Sequence, residues 1–390
     1  MDIRVCFLTG EYPPMQGGVA DHTAVLARHL VGLGVEASVL TSAKAASGLQ
    51  SPIPNLHIYP VISSWGPGCW RQIGRWLDEH WPDVLHIQYQ AAAFDLRGWV
   101  NWLPWRLRHR KTRPGVVVTF HDLRIPYLFP KAGPLRWRSI LALARHSDAV
   151  IVTNAEDEQR LSPLFDCLTL IPLGSNVDPS PPPGYERDRW RASLGVGQHT
   201  LLLAYFGFLN QSKGGEDLIL ALQRLVHQAY DVHLVMVGGQ SGDVDPTNRA
   251  YAKRVRSLVE TCGLVERVHW TGYTLPQEVS ANLLAADLVV MPYRDGVSFR
   301  RTTFIAALRH RRPVVTTHPA VPLGELGHGD NVWLVPPGDV DALAQAIAHL
   351  ADNADLRARL SEGAGALGSR FDWPAISHQT LDLYRRLKVG

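Results

Sequence analysis

In the stretch MPYRDGVSFRRTTFIAALRHRRPVV, Met291 to Val315, Arg300 and Arg301 stand where a strand-to-helix turn should open into a helix. Thr302 and Thr303 follow, residue types that cap a first helical turn. Free N–H groups and the positive end of the helix dipole make such a terminus an anion site, and adjacent guanidinium groups reinforce it. Their planar donor sets match phosphate oxygens, so the pair suits a diphosphate; read otherwise, it is a solvated basic face. A second stretch, YFGFLNQSKGGEDLI, ends a strand at Gly207 and places Lys213 directly before Gly214 and Gly215, where another helix begins. A third, TGEYPPMQGGVADH, sets Gly17 and Gly18 at a helix N-terminus without the G-x-G-x-x-G order of a dinucleotide fold. In a fourth, GVVVTFHDLRIPYLFP, His121 and Asp122 follow a buried strand, where a histidine is either a satisfied structural residue or a contact to a substrate hydroxyl or developing charge. Two DVD triplets, Asp243–Asp245 and Asp339–Asp341, lie in loops rich in Gly and Pro. No metal is assigned to them, since cations at two helix ends neutralise a diphosphate without Mg²⁺.

The elements that must position these groups repeat in a regular order. RVCFLT, EASVLT, DVLHIQY, GVVVTF and AVIVT are short apolar runs suited to strands buried on both faces of a parallel sheet. Between the first two, Val19, Thr23, Leu26, Ala27 and Leu30 recur at helical spacing. Strand, helix, strand in this order predicts right-handed βαβ units. The pattern pauses over residues 173–190, rich in Pro, Gly and Ser, and restarts with LLLAYFGFL, VHLVMVGG, RVHWTGY, DLVVMPY and RPVVTT. The expectation is an α/β protein of two Rossmann-like doubly wound domains facing across a cleft. The first covers 1–172 and is completed by a C-terminal helix, 373–390; a linker spans 173–190; the second covers 191–372. Ligands of such sheets bind beyond the C-terminal strand ends, where all four stretches lie.

Composition narrows the partners. Lys+Arg is 39 against Asp+Glu 36, too small an excess for a protein that coats nucleic acid. Cys6, Cys69, Cys167 and Cys262 show no paired spacing, which suits a reducing cytoplasm and neither a disulfide framework nor a zinc site. The N-terminus reads as a strand and turn, and no apolar run is long enough to span a bilayer. The 97–113 segment interleaves Trp99, Trp102 and Trp105 with six basic residues. It reads either as a peripheral contact with the inner face of a membrane, or as a helix that buries its tryptophans on the sheet; Pro104 interrupts it.

Taken in order, GGVAD, TFHDL, FGFLNQSKGGEDLI, TGYTLPQEV, DLVVMPY, RPVVTT and NVWLVPPGD resemble the GT-B glycosyltransferases of family 4, over nearly the whole chain. The resemblance implies a metal-independent hexosyltransferase that uses no cofactor and moves a sugar, with retention, from a nucleoside diphosphate to a sugar, lipid-linked or small-molecule acceptor. By it, Gly17 and Gly18 lie near the diphosphate and acceptor, His121 contacts the donor sugar, and Lys213 grips the diphosphate. Gly272 and Tyr273 lie along the nucleobase.

The chain also departs from the family pattern. The cation usual just after the glycine at Gly207 is Phe208, and the usual pair of glutamates falls on Ser298 and Ala306, with Asp295 the nearest substitute for the first. Arg300 and Arg301 are therefore expected to supply the cation missing at Phe208. Two other readings fit the same motifs. One is an epimerase or sugar phosphorylase on this frame; the other is a binding module without turnover, consistent with the absent glutamates.

Overall fold

The computed structural model describes residues 3–15, 17–45, 51–123, 133–166, 168–239 and 246–389. The chain forms two compact units, Met1–Gly174 with Asp372–Gly390, and Ser175–Phe371. Most of the stretch read as a linker is therefore part of the second unit. Ser180 N–H donates to Ser280 Oγ at 2.9 Å, Trp190 Nε1–H to Asn282 Oδ1 at 3.1 Å, and Arg187 pairs with Asp287 at 2.5 Å. Proline-rich composition argued against regular structure there, and composition carries no signal for docking through side chains.

The first unit holds a seven-stranded sheet: β1 (Arg4–Thr9), β2 (Glu36–Ser42), β3 (Leu56–Ile62), β4 (Val84–Tyr89), β5 (Gly115–Phe120), β6 (Ala149–Val152) and β7 (Leu168–Leu170). The order is β3-β2-β1-β4-β5-β6-β7, parallel throughout. The second unit repeats the plan with β8 (Leu201–Phe206), β9 (Val232–Val237), β10 (Val268–Gly272), β11 (Leu288–Met291), β12 (Val314–Thr317) and β13 (Trp333–Val335). Its order is β10-β9-β8-β11-β12-β13, also parallel. Each sheet reverses its winding beside its first strand, so the loops after β1 and β4, and after β8 and β11, diverge around a crevice at the C-terminal strand ends. The ten apolar runs of the sequence are all strands. The three it did not reveal, β3, β7 and β13, are sheet edges: β3 carries Pro60, tolerated at an edge, and the others have three residues each.

Hydrophobic side chains fill both faces of each sheet. The helix Trp373–Val389 closes the first unit, with Ile376, Leu381 and Tyr384 buried among Ile3, Val5, Phe7 and Leu26. Trp373 anchors it. A Cβ on Gly174 would lie 2.3 Å from the indole, so only glycine lets the backbone pass, and the ring also packs 5.1 Å from His22 and 6.0 Å from His29. Among the described residues no helix is long and apolar enough to cross a membrane.

Trp373→Ala removes a side chain that is 3% exposed. It is expected to destabilise the first unit by about 3–5 kcal/mol, measured as a lower denaturant midpoint; an unchanged midpoint would mean that the returning helix contributes little.

Candidate functional site

In the second unit, β8 runs into Gly207, whose φ of 127° lies outside the range that suits L side chains. A Cβ there would meet Lys213 Nζ and Thr303 Cγ2, each at 3.1 Å, so the lysine ammonium and the helix Thr302–Arg309 meet at this glycine. Lys213 reaches it because residues Gln211–Lys213 form a 3₁₀ turn that ends at Gly214 (φ 67°), the residue before the helix Gly215–His227. A Cβ on Gly214 would lie 1.9 Å from the carbonyl oxygen of Pro292. This close approach joins the loop after β8 to the loop after β11, and Arg294 N–H donating to Ser212 O at 2.8 Å adds a second tie.

Of the cations in the opening stretch, Arg294 has a structural task. Its guanidinium holds Asp217 through two bonds, Nε to Oδ2 at 2.8 Å and Nη2 to Oδ1 at 2.7 Å. Arg301 is the residue preceding its helix, pairs with Asp295, and lies with its guanidinium carbon 4.0 Å from the centre of the Tyr293 ring. Tyr293 OH in turn lies 3.3 Å from Thr303 Oγ1. Burial, and the Arg301 charge after it, push the Lys213 pKa down to about 8. Arg300 is half-buried at the next position back. Thr302 and Thr303 make no cap: no side-chain hydrogen bond closes this helix start, and Thr303 turns to Gly207 and Tyr293 instead. Ser298 is half-buried and its carbonyl accepts the Arg301 N–H at 3.1 Å; Ala306 is fully buried, so no carboxylate occupies that helix position. Gly272 ends β10, two strands from β8, and Tyr273 follows it, 79% exposed.

The first unit assembles a different set. Gly17 precedes the helix Gly18–Gly32 in extended conformation, and a Cβ on it would lie 2.1 Å from Glu11 Oε1. The anion at this helix start is therefore the protein's own. Glu11 accepts the Ala20 N–H at 3.4 Å, and burial raises its pKa against the opposing pull of the Ala20 and Val19 N–H groups. His121 follows β5, its Nε2 2.7 Å from Gln88 Oε1, with Asp122 half-buried beside it. Gln88 Nε2 lies 3.2 Å from His86 Nε2, which is 2.7 Å from Thr119 Oγ1; His86 Nδ1 reaches Tyr384 OH at 2.5 Å. His22 sits edge-on to His121 at 4.7 Å. Burial lowers all three histidine pKa values, His22 to about 4, His86 to about 3 and His121 well below its ordinary value. They are neutral at pH 7. Because Gln88 Oε1 only accepts, His121 Nε2 carries the proton and Nδ1 keeps its lone pair.

Glu11, Gln88, His22 and His86 went unmarked in the sequence. His86 and Gln88 alternate along β4, a spacing that places both on one face, and only the presence of polar residues in a buried strand hinted at them. Of the DVD triplets, Asp339 caps the helix Val340–Asp352 and Asp341 pairs with Arg224; Asp243–Asp245 lie outside the described residues. Among the described residues no group of three acids, histidines or cysteines could hold a metal ion.

Residues 17–168 match the glycosyl transferase 4-like domain, and residues 200–353 match glycosyl transferases group 1. The chain belongs to the GT-B glycosyltransferases of family 4. This transferase is 27% identical over 401 residues to the phosphatidyl-myo-inositol mannosyltransferase of Mycobacterium leprae (strain TN), covering 96% of this chain and 94% of the relative. It is 27% identical over 317 residues to the D-inositol 3-phosphate glycosyltransferase of Corynebacterium glutamicum (strain R), covering 77% and 72%. The sucrose-phosphate synthase of Thermosynechococcus elongatus has the same fold, with a TM-score of 0.78 at 21% identity over 99% of both chains. So does Anabaena Alr3699/HepE, solved with UDP and glucose, with a TM-score of 0.75 at 20% identity over 98% of this chain and 100% of that one.

Lys213 titrates near 8 in the folded transferase against 10.5 ordinarily, so the unfolded chain holds this proton more tightly. Its charge therefore lowers stability at neutral pH, and the penalty is relieved as pH rises from about 8 toward 10.5. Lys213→Met is expected to raise the melting temperature at pH 7 by about 2–4 °C and to lose that advantage by about pH 10.5. A lower melting temperature at pH 7 would show that the lysine is a stabilising residue.

Proposed function

We propose that the protein is a retaining, metal-independent hexosyltransferase that takes its sugar from a nucleoside diphosphate bound by the second unit. The observation that carries this is the meeting of the Lys213 ammonium and the Thr303 side chain at Gly207, with the Arg301 charge close enough to depress the lysine pKa. Cations gathered in a partly buried place are stabilised by an anion among them, and a bound diphosphate would add its charge to that of Asp295, which pairs with Arg301 and also acts on Lys213. Breaking the bond between the sugar C1 and the diphosphate oxygen leaves charge on that oxygen while C1 becomes cationic. Lys213, Arg300 and Arg301 stabilise the departing charge, and Gly207 lets the lysine ammonium and Thr303 lie against the backbone at the end of β8. The acceptor hydroxyl then bonds to C1 on the same face, and its proton passes to the departing phosphate oxygen. No side chain is assigned as a glycosyl nucleophile.

On the first unit, neutral His121 serves as a hydrogen-bond partner for a sugar hydroxyl through Nδ1, not as a cation. Gly17, Gly18 and Asp122 lie at the same strand ends, with Gly272 and Tyr273 left for the nucleobase. The acceptor is a hydroxyl of a glycan, a lipid-linked sugar or a small molecule. UDP is the first nucleotide to test, because a structural neighbour binds it. The three described cysteines are free thiols, which suits the cytoplasm.

Thermal shifts with UDP, GDP, ADP and dTDP, with and without Mg²⁺, are expected to single out one nucleotide independently of the metal. Alanine at Arg300 or Arg301 removes a charge-assisted contact worth about 1.5–3 kcal/mol and should weaken that nucleotide roughly 10- to 150-fold. Unchanged affinity in both variants would remove the arginines from the site, and dependence on Mg²⁺ would refute the metal-free reading. Sugar transfer should fall as pH rises through about 8, where Lys213 loses its proton. A plateau across that range would show that its charge is not needed.

A further inference from the structure

The segment from Arg97 to Arg113 is oriented against the usual pattern for a covering helix. Its aliphatic residues Val100, Leu103 and Leu107 are buried, while Trp99, Trp102 and Trp105 are 40%, 42% and 42% exposed. Indole is the largest apolar payload the chain has, and a segment that only covers a sheet buries it first. Here the 3₁₀ turn Val100–Trp102 and the helix Leu103–Leu107, begun at Pro104, space the three rings three residues apart. They line up on one side. The ridge is built rather than loose: Trp70 Nε1–H donates to Trp99 O at 2.8 Å and its ring meets Trp99 edge-on at 5.5 Å. Asn101 is buried beneath, donating to Tyr89 OH at 2.9 Å and Ser139 Oγ at 3.1 Å.

Along the segment itself the charged residues have one sign. From Leu96 to Arg113 there are six basic residues and no acid. Arg97, Arg106, Arg108 and Lys111 are exposed, while Arg110 pairs with Asp78 and Arg113 with Asp148. The helix Gly133–His146, tied to the ridge by Ser139 and by Arg108 donating to Arg145 O at 3.4 Å, also lacks acids and leaves Leu135 68% exposed. Asp95 is the nearest acid in the chain, and it is paired with Lys44.

We propose that this face docks the first unit onto a lipid surface bearing anionic headgroups. Indole rings favour the depth between headgroups and acyl chains, where an apolar body and a polar N–H are both satisfied. The surrounding guanidinium groups stay level with the phosphates, and their attraction adds to the partition of the rings. A protein partner would ordinarily bring acids to a surface of this kind and rings to a dry core, whereas rings fringed by cations match a layered surface, apolar inside and anionic outside. The inference rests on the first unit alone and is independent of the donor reading.

The test is flotation of the full chain with vesicles of phosphatidylcholine, or of phosphatidylcholine and phosphatidylglycerol at about 7:3, with tryptophan emission as a second readout. Binding with a blue shift is expected only on the anionic vesicles, and should be reversed by about 0.5 M salt. The triple variant Trp99→Ala, Trp102→Ala, Trp105→Ala and the double variant Arg106→Ala, Arg108→Ala should each lose at least about tenfold in vesicle affinity. Both should keep the parent melting temperature and nucleotide shift. The idea fails if anionic vesicles do not bind the chain, or if the triple variant floats as well as the parent. A dimer in sedimentation velocity that the triple variant abolishes would instead assign the ridge to a second copy of the chain.

Discussion

The cation cluster of the second unit depends on one close approach, the contact between Gly214 and the carbonyl of Pro292. It brings together the loops after β8 and β11, strands that neighbour each other in the sheet but lie about eighty residues apart in the chain. A side chain at 214 would push the loops apart. With it absent, the 3₁₀ turn can seat Lys213 against Gly207, and the turn after β11 can bring Tyr293, Thr303 and Arg301 to the same place. Gly296 repeats the device, since a Cβ there would lie 2.7 Å from His318 O and from Ala320 N. The cations are thus held by backbone packing, which allows their mutual repulsion to persist in the folded state.

The first unit solves a different problem. Polar groups inside a parallel sheet must find partners, and Tyr384, His86, Thr119, Gln88 and His121 form a chain of hydrogen bonds from the returning C-terminal helix to the end of β5. Burial keeps the imidazoles neutral, so the chain fixes a direction for His121 without adding charge. At the neighbouring helix start the protein supplies Glu11 as its own anion, which accounts for a glycine at position 17 in steric terms. Cationic groups therefore stand at the described strand ends of the second unit, and neutral polar groups with the Glu11 carboxylate at those of the first.

Much of this could be read from the residues alone. Ten apolar runs declared ten strands, because strands buried on both faces must be apolar throughout. The tight turns after β8 and β11 were legible because glycines stand directly before or within them in the sequence; that their cations would meet was an expectation that the packing of Lys213 and Thr303 at Gly207 agrees with. The short edge strands were not legible, since three residues or a proline leave no periodic trace. Nor was the division of labour among the arginines legible. Arg294 and Arg301 look alike in the sequence, yet one is bound by Asp217 at a helix start and the other lies across Tyr293.

What the sequence determined by itself was the alternation of strand and helix, and with it two doubly wound sheets; hydrophobic period and turn chemistry are local properties. Tertiary structure alone decided which helix start carries an internal carboxylate, which arginine is structural, and which way the tryptophans of the 97–113 segment face. These are outcomes of competition for one space by groups far apart in the chain. No local pattern records the winner.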